Sequence, residues 1–296
     1  MNVAPVDTPG LIPRGCPRRH AVFVQVLFLL AGGGLLLAGE ALAAPDADSK
    51  PDDPETEIQR AARGIVEAVE LSAISGEKRE KLELIKQPLL RFGDIPRAND
   101  KGSVWIWQRA GRPQAVMELY RGSDSRSWVH VIHSLSPDAL EGDFGGNAPH
   151  WLPPGPGVTW SRFPDAPVPA ERPVARARQI KELAQKFSSH EFWDPDNSRY
   201  ELRLLIQPVH KYSDPDSDLL DGAVFLICHE TNPEVALLIE AVRSGEKEPE
   251  FRYALARLGH AELHVALAGK EVWRQDRVAS TKPGDRYWLL FRGVSP

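Results

Sequence analysis

The hydrophobic positions of this chain change period several times, and each change marks an element. Val174, Ala177, Ile180, Leu183, Ala184 and Phe187 recur at spacings of three and four, which predicts a helix over residues 171–187. Residues 54–68 carry a similar pattern earlier in the chain. Behind each helix come short apolar runs bounded by turn residues, the signature of antiparallel strands. Hairpins are expected to turn at Ser75-Gly76-Glu77-Lys78 and at Asp194-Pro195-Asp196-Asn197. Both second strands end at a Gln-Pro pair, Gln87-Pro88 and Gln207-Pro208, because proline cannot donate into a central ladder. A loop then leads to strands over 103–109 and 223–229. Tight turns follow at Gly111-Arg112-Pro113 and Thr231-Asn232-Pro233, and then strands over 115–120 and 235–240, and over 128–135 and 251–258. A further hairpin, over 262–268 with its turn at Gly269-Lys270, and a strand over 286–292 close the chain.

The two series align without gaps when the chain is shifted against itself by 120 positions. Leu82 meets Leu202, Leu84 meets Leu204, Gln87 meets Gln207, Pro88 meets Pro208, Gly102 meets Gly222 and Pro113 meets Pro233. Arg91 with Lys211, Phe92 with Tyr212 and Trp105 with Phe225 are conservative matches. Internal similarity of this kind is read before any motif. The expected fold class is therefore α+β: a tandem duplication of a helix plus a five-stranded antiparallel β-meander unit, after an N-terminal signal or anchor segment. The expected organisation is a signal peptide or signal anchor at 1–44 and an acidic disordered spacer at 45–53. A first α+β repeat at 54–141, a Pro/Gly-rich linker at 142–173 and a second repeat at 174–296 follow. Trp151 and Trp160 are expected to tack the linker down, because free linkers rarely carry large aromatics.

The address comes from the first residues. Arg14, Arg18 and Arg19 precede an uncharged run over 21–39, and Ala41-Leu42-Ala43 supplies small residues behind it. Basic flank, apolar core and small-residue exit make a secretory signal, and cleavage leaves a mature chain starting near Ala44. The run is also long enough to stay as an anchor, in which case the membrane is met only through residues 21–39. Either way the folded part is expected outside the cytoplasm, in the periplasm or at the cell surface. A net charge of -5 without a basic stripe argues against nucleic-acid binding. Of the two cysteines, Cys16 precedes the apolar run and Cys228 lies in an apolar strand, so no internal disulfide framework is expected in the mature chain.

Few residues carry a chemical signal. Asp214, Asp216, Asp218 and Asp221 alternate as carboxylates do in a calcium loop, since hard cations want several oxygens close together. The EF-hand pattern fails, with Leu219 at the glycine position and Phe225 at the glutamate position, and a solvated turn uses the same residue types. Trp105, Trp107 and Arg109 share one face of a strand and offer a ligand face of stacking aromatics and a cation. Phe225 and Ile227 at the matching positions favour a core face instead. His260 and His264 fall on one face of a strand, and His130 and His133 on opposite faces, with no recognised ligand spacing around either pair. No Gly-x-Ser-x-Gly elbow, phosphate-cradling glycine loop or His-Glu-x-x-His is present in the sequence. No catalytic or cofactor-binding residue is assigned, and Ca2+ is the one cofactor the pattern brings into consideration.

The stretch Gln87-Pro88-Leu89-Leu90-Arg91-Phe92 resembles a family of uncharacterised exported proteins of planctomycete bacteria. Similar runs are Trp105-Ile106-Trp107 with Gly111-Arg112-Pro113, Asp221 to Phe225 with Asn232-Pro233-Glu234, and Phe251 to Leu258. The resemblance covers most of the chain after the signal. It implies an exported address and one continuous architecture, and it carries over no catalytic residue. The expected function is a non-catalytic binding or structural module, its partner unknown. The alternative is an extracytoplasmic hydrolase with its site in the cleft between the repeats.

Overall fold

The computed structural model describes residues 56–94, 99–121, 127–193, 197–214, 217–243 and 245–293. The signal or anchor segment, the acidic spacer, the Asp194-Pro195-Asp196 turn and Asp216 lie outside the described residues. In chain order the first elements are α1 (Glu57–Glu67), β1 (Glu70–Ser75), β2 (Lys78–Lys81), β3 (Glu83–Leu84), β4 (Leu90–Asp94), β5 (Asn99–Arg109), β6 (Arg112–Arg121), β7 (Ser127–Ser134), β8 (Ala139–Asp143) and β9 (Ser161–Arg162). Then come α2 (Pro173–Ala184), β10 (Phe187–Trp193), β11 (Ser198–Leu204), β12 (His210–Asp214), β13 (Leu219–His229), β14 (Asn232–Val242), β15 (Glu250–Arg257), β16 (Glu262–Leu267), β17 (Lys270–Gln275) and β18 (Tyr287–Gly293).

The expected α+β class does not hold. Strands make up 54% of the described residues and helix 10%, and one of the sheets curls into a half-barrel. The two helices among the described residues, of 11 and 12 residues, are too little to form a helical layer opposite each sheet. Nor are there two independent five-stranded meanders. The strands form antiparallel sheets of three (β2-β1-β8), nine (β17-β16-β10-β11-β13-β14-β15-β9, with β12 beside β13) and six (β18-β7-β6-β5-β3, with β4 beside β5). The last strand, β18, pairs with β7 and so crosses back to the sheet of the first half.

Side-chain alternation sets the layers. On one face Val104, Ile106 and Val116 of the six-stranded sheet meet Val224, Leu226, Ala236 and Leu238 of the nine-stranded sheet in a shared apolar layer. On the opposite face Trp105, Trp107, Ala115 and Met117 pack with Ala62 and Val66 of α1. Phe225, Ile227, Val235 and Leu237 pack with Ile180, Leu183 and Ala184 of α2. Both faces of β5, β6, β13 and β14 are thereby buried, and their sequences read as nearly unbroken apolar runs.

Pairing registers recur along the chain. Leu84 pairs with Trp107 and Leu204 with Ile227; Leu90 with Val104 and His210 with Val224; Gly102 with Tyr120 and Gly222 with Glu240. Residues 90–94 and 210–214, expected as loop, are strands. The ring of Phe92 lies over Gly102 and that of Tyr212 over Gly222, each leaving no space for a Cβ. The hairpin between β5 and β6 turns at Ala110 (φ 47) and Gly111 (φ 80), one residue earlier than expected. Pro113 and Pro233 sit inside β6 and β14, where a register shift relieves the ladder of the missing donor.

Candidate functional site

The residues singled out in the sequence are scattered. Trp105 and Trp107 are 2% and 1% exposed beneath α1, and Trp105 Nε1 donates to Ser103 Oγ at 2.9 Å. They form core, not an exposed aromatic row. Arg109 is bound to Asp138 at 2.9 Å and lies 3.8 Å from Glu80. In the acidic loop, the Asp221 carboxylate is held by Arg176 of α2, which also donates to the carbonyls of Ala170 and Glu171. The Asp218 and Asp214 carbonyls accept from Arg243 and Ser217. Among the described residues no three His, Cys, Asp or Glu side chains gather closely enough to hold a metal ion. Cys228 is 1% exposed between the sheets, where burial, and then Glu118 and Glu234, push its thiol well above the usual range.

Two clefts flank the helices instead. The first, 380 Å3, opens between the N-terminal half of α1 and the strands β4 and β5; Pro88, Arg91, Lys101 and Trp105 are among its walls. The second, 330 Å3, opens between α2 and strand β13; Pro208, Lys211, Lys181 and Phe225 are among its walls. Pro88 and Pro208, Arg91 and Lys211, and Trp105 and Phe225 stand 120 positions apart. Each cleft thus has a proline, a cation and a core aromatic ring at positions 120 apart. Sequence comparison supplied these pairs, but not the cavity, because the helix that covers each cleft comes from a distant stretch of chain.

The buried polar groups form three knots that the sequence does not announce. Glu240 has no exposed surface; it accepts from Arg112 at 2.8 Å, Arg252 at 2.7 and 2.9 Å, and the Tyr212 hydroxyl at 3.1 Å. Trp160 of the linker lies under both guanidinium groups, 5.7 Å from Arg112 and 4.5 Å from Arg252. Burial and then the Glu240 charge raise the Tyr212 hydroxyl far above its ordinary range, so it stays a donor. This knot ties the β5–β6 turn to β12, β14, β15 and the linker. In the second, His229 Nδ1 lies 2.8 Å from the fully buried Glu191, with the Tyr200 ring 5.0 Å from the imidazole. A carboxylate at Nδ1 orients an imidazole as general bases are oriented. In the third, His264 stands between Glu262 (3.0 Å) and Glu271 (2.7 Å) and stacks on His190 with ring centroids 4.6 Å apart. His264 therefore meets β10 and β17, rather than the His260 four residues before it.

The chain matches no family model, no curated protein and no solved structure.

Proposed function

We propose that this protein is a non-catalytic binding module that works outside the cytoplasm, and that it holds its ligand in the clefts beneath its two helices. The observation that carries the reading is the agreement of the two clefts, with ring, proline and cation at positions 120 apart. An internal repeat accounts for that agreement and for the recurring registers. Contacts exchanged between the halves support it too: Thr231 bonds the backbone of Gly93, while Gly111 lies against Ser213, and each member of the second pair sits 120 positions from a member of the first. A cation at the rim and a mostly apolar lining suit a ligand with an anionic head and an apolar body. The basic flank, apolar run and small-residue exit over 14–44, with the likeness to exported planctomycete proteins, support the address.

Calorimetric titration with decanoate, below its micelle concentration, is expected to give two sites and a rise of about 6 °C in the thermal midpoint near tenfold saturation. Arg91→Glu and Lys211→Glu are each expected to remove one site. Decanoate binding that is absent, or that both variants leave intact, overturns the reading. The hydrolase alternative is favoured by one observation, the His229–Glu191 pair. Turnover of an ester probe that survives both charge reversals and is lost in His229→Gln decides for it.

A further inference from the structure

A third cleft, 490 Å3, lies along the C-terminal half of α1, away from the first; Gly64, Trp128, His130, Phe144 and Arg292 are among the residues that line it. Its interior holds an imidazole that the fold leaves unmatched. His130 is 1% exposed, and neither ring nitrogen has a hydrogen-bond partner among the described residues. The Trp128 and Leu290 carbonyls lie near enough to favour its charged form, yet neither meets hydrogen-bond geometry. Burial, and then the Arg292 charge, hold His130 down to about 4, so the ring is neutral at physiological pH, with one donor and one acceptor unused. A buried polar group left without partners is rare in a native protein and costs stability.

Arg292 is built into the same wall. Its guanidinium donates to the Phe144 carbonyl and, at 3.2 Å, to the Gly145 carbonyl. Two successive left-handed glycines, Gly145 (φ 73) and Gly146 (φ 60), let that loop close on it. No carboxylate among the described residues neutralises it. The remaining walls are aromatic: Phe144 stands edge-on to Trp288 at 5.1 Å and to His130 at 5.9 Å, and Trp128 is next to them along β7. The corresponding place in the second half, a comparison that rests on the internal repeat, is taken by Tyr253. Tyr253 precedes Arg257, the partner of Val235, by four residues, as His130 precedes Ser134, the partner of Ala115. Tyr253 is plugged by Phe163 at 4.9 Å and Phe187 at 5.2 Å. One half thus packs three rings together at the position, and the other sets a buried histidine without a hydrogen-bond partner in the wall of a cleft.

We propose that the cleft between α1, β7 and the Phe144–Gly146 loop is a separate binding site for an aromatic monocarboxylate. The carboxylate sits between the Arg292 guanidinium and the His130 imidazole, and the ring lies against Trp128 and Phe144. The guanidinium supplies the charge-assisted hydrogen bonds, and His130 supplies the donor that the fold itself leaves idle.

The test is titration of the full chain with 2-naphthoate, followed by calorimetry and by the nitrogen resonances of the His130 ring. Saturable one-to-one binding with a shift of those resonances is expected. Arg292→Gln and His130→Phe are each expected to weaken it about tenfold or more, as is replacing 2-naphthoate with the uncharged 2-naphthamide. Gly64 has open space at its Cβ, so Gly64→Trp is expected to close the cleft and abolish binding without disturbing the core. A natively folded protein that does not bind 2-naphthoate overturns the site. So does binding that Arg292→Gln and Gly64→Trp leave unchanged. Binding lost in Arg91→Glu but kept in Gly64→Trp assigns the probe to the first helix cleft and likewise overturns this site. Should His130→Phe fail to fold, Arg292→Gln and Gly64→Trp decide alone.

Discussion

His130 and His133 occupy one strand three residues apart and face opposite sides of it, yet both are held to about 4. For His130 burial acts first and Arg292 second; for His133 burial outweighs the Arg257 and Gly157 carbonyls that favour the charged ring. Both folded values lie below the unfolded value of 6.5, so folding favours the neutral rings. The stability they contribute is present in full above pH 6.5 and is lost as pH falls toward 4. Two and a half units correspond to about 3 kcal/mol per histidine at the acid end. Urea denaturation at pH 7.5 and 4.5 is expected to show that loss, and His133→Asn, which keeps a donor for the Arg257 carbonyl, is expected to flatten the profile by about half. An unchanged midpoint across that range refutes the assignment. The opposite facing of the two histidines was legible in their spacing. Their surroundings were not, since Arg292 and the Arg257 carbonyl arrive from β18 and β15.

At the scale of elements, the long strands follow their hydrophobic period, whereas of the pattern expected for α2 only Ile180, Leu183 and Ala184 are buried in the helix; Val174 is exposed and Phe187 begins β10. α1 also begins where its capping box says: Thr56 accepts from Gln59 N–H at 3.3 Å, and Gln59 Oε1 accepts from Thr56 N–H at 2.9 Å. The short strands β4 and β12 escaped. Five residues that follow a Gln-Pro pair and mix cations with aromatics give no clear alternation, and their strand state depends on the neighbour that receives the ring. Phe92 covers Gly102, and Tyr212 covers Gly222, on directly paired positions. A Cβ on Gly102 would come within 2.3 Å of the Phe92 ring. Gly102→Ala is therefore expected to cost about 1–3 kcal/mol, as overpacking does. Because the clash needs the ring, Gly102→Ala combined with Phe92→Ala is expected to cost less than the sum of the two, read from denaturant midpoints. Strict additivity contradicts this account of the pair.

At the scale of the whole molecule, the last described strand forms one edge of the six-stranded sheet. β18 lies along β7 from Tyr287 opposite His133 to Gly293 opposite Ser127, and it buries Trp288 in the core beneath α1. A chain ending at Asp285 loses that strand, uncovers the β7 edge and opens the cleft of His130. Such a chain is expected to associate through the exposed edge, visible by light scattering, and to unfold at a lower temperature than the full chain. A truncated protein that stays monomeric and equally stable contradicts this role of β18. Glu240 is another long-range tie, joining strands and linker through two arginines and a tyrosine.

By itself the sequence determined the local and the recurrent: where helices start, which runs are apolar, and which positions match 120 residues apart. These are properties of short windows and of comparison between windows, and a linear pattern carries them in full. The tertiary structure alone decided that the protein is mostly β and that Trp105 and Trp107 line core. It also decided that Arg292 reaches the cleft of His130 and that Glu191 meets His229. Strand pairing and side-chain burial depend on which distant segments come together. A run that is apolar on both faces does not say what covers it, and an isolated Glu, His or Arg does not name the partner that will neutralise it.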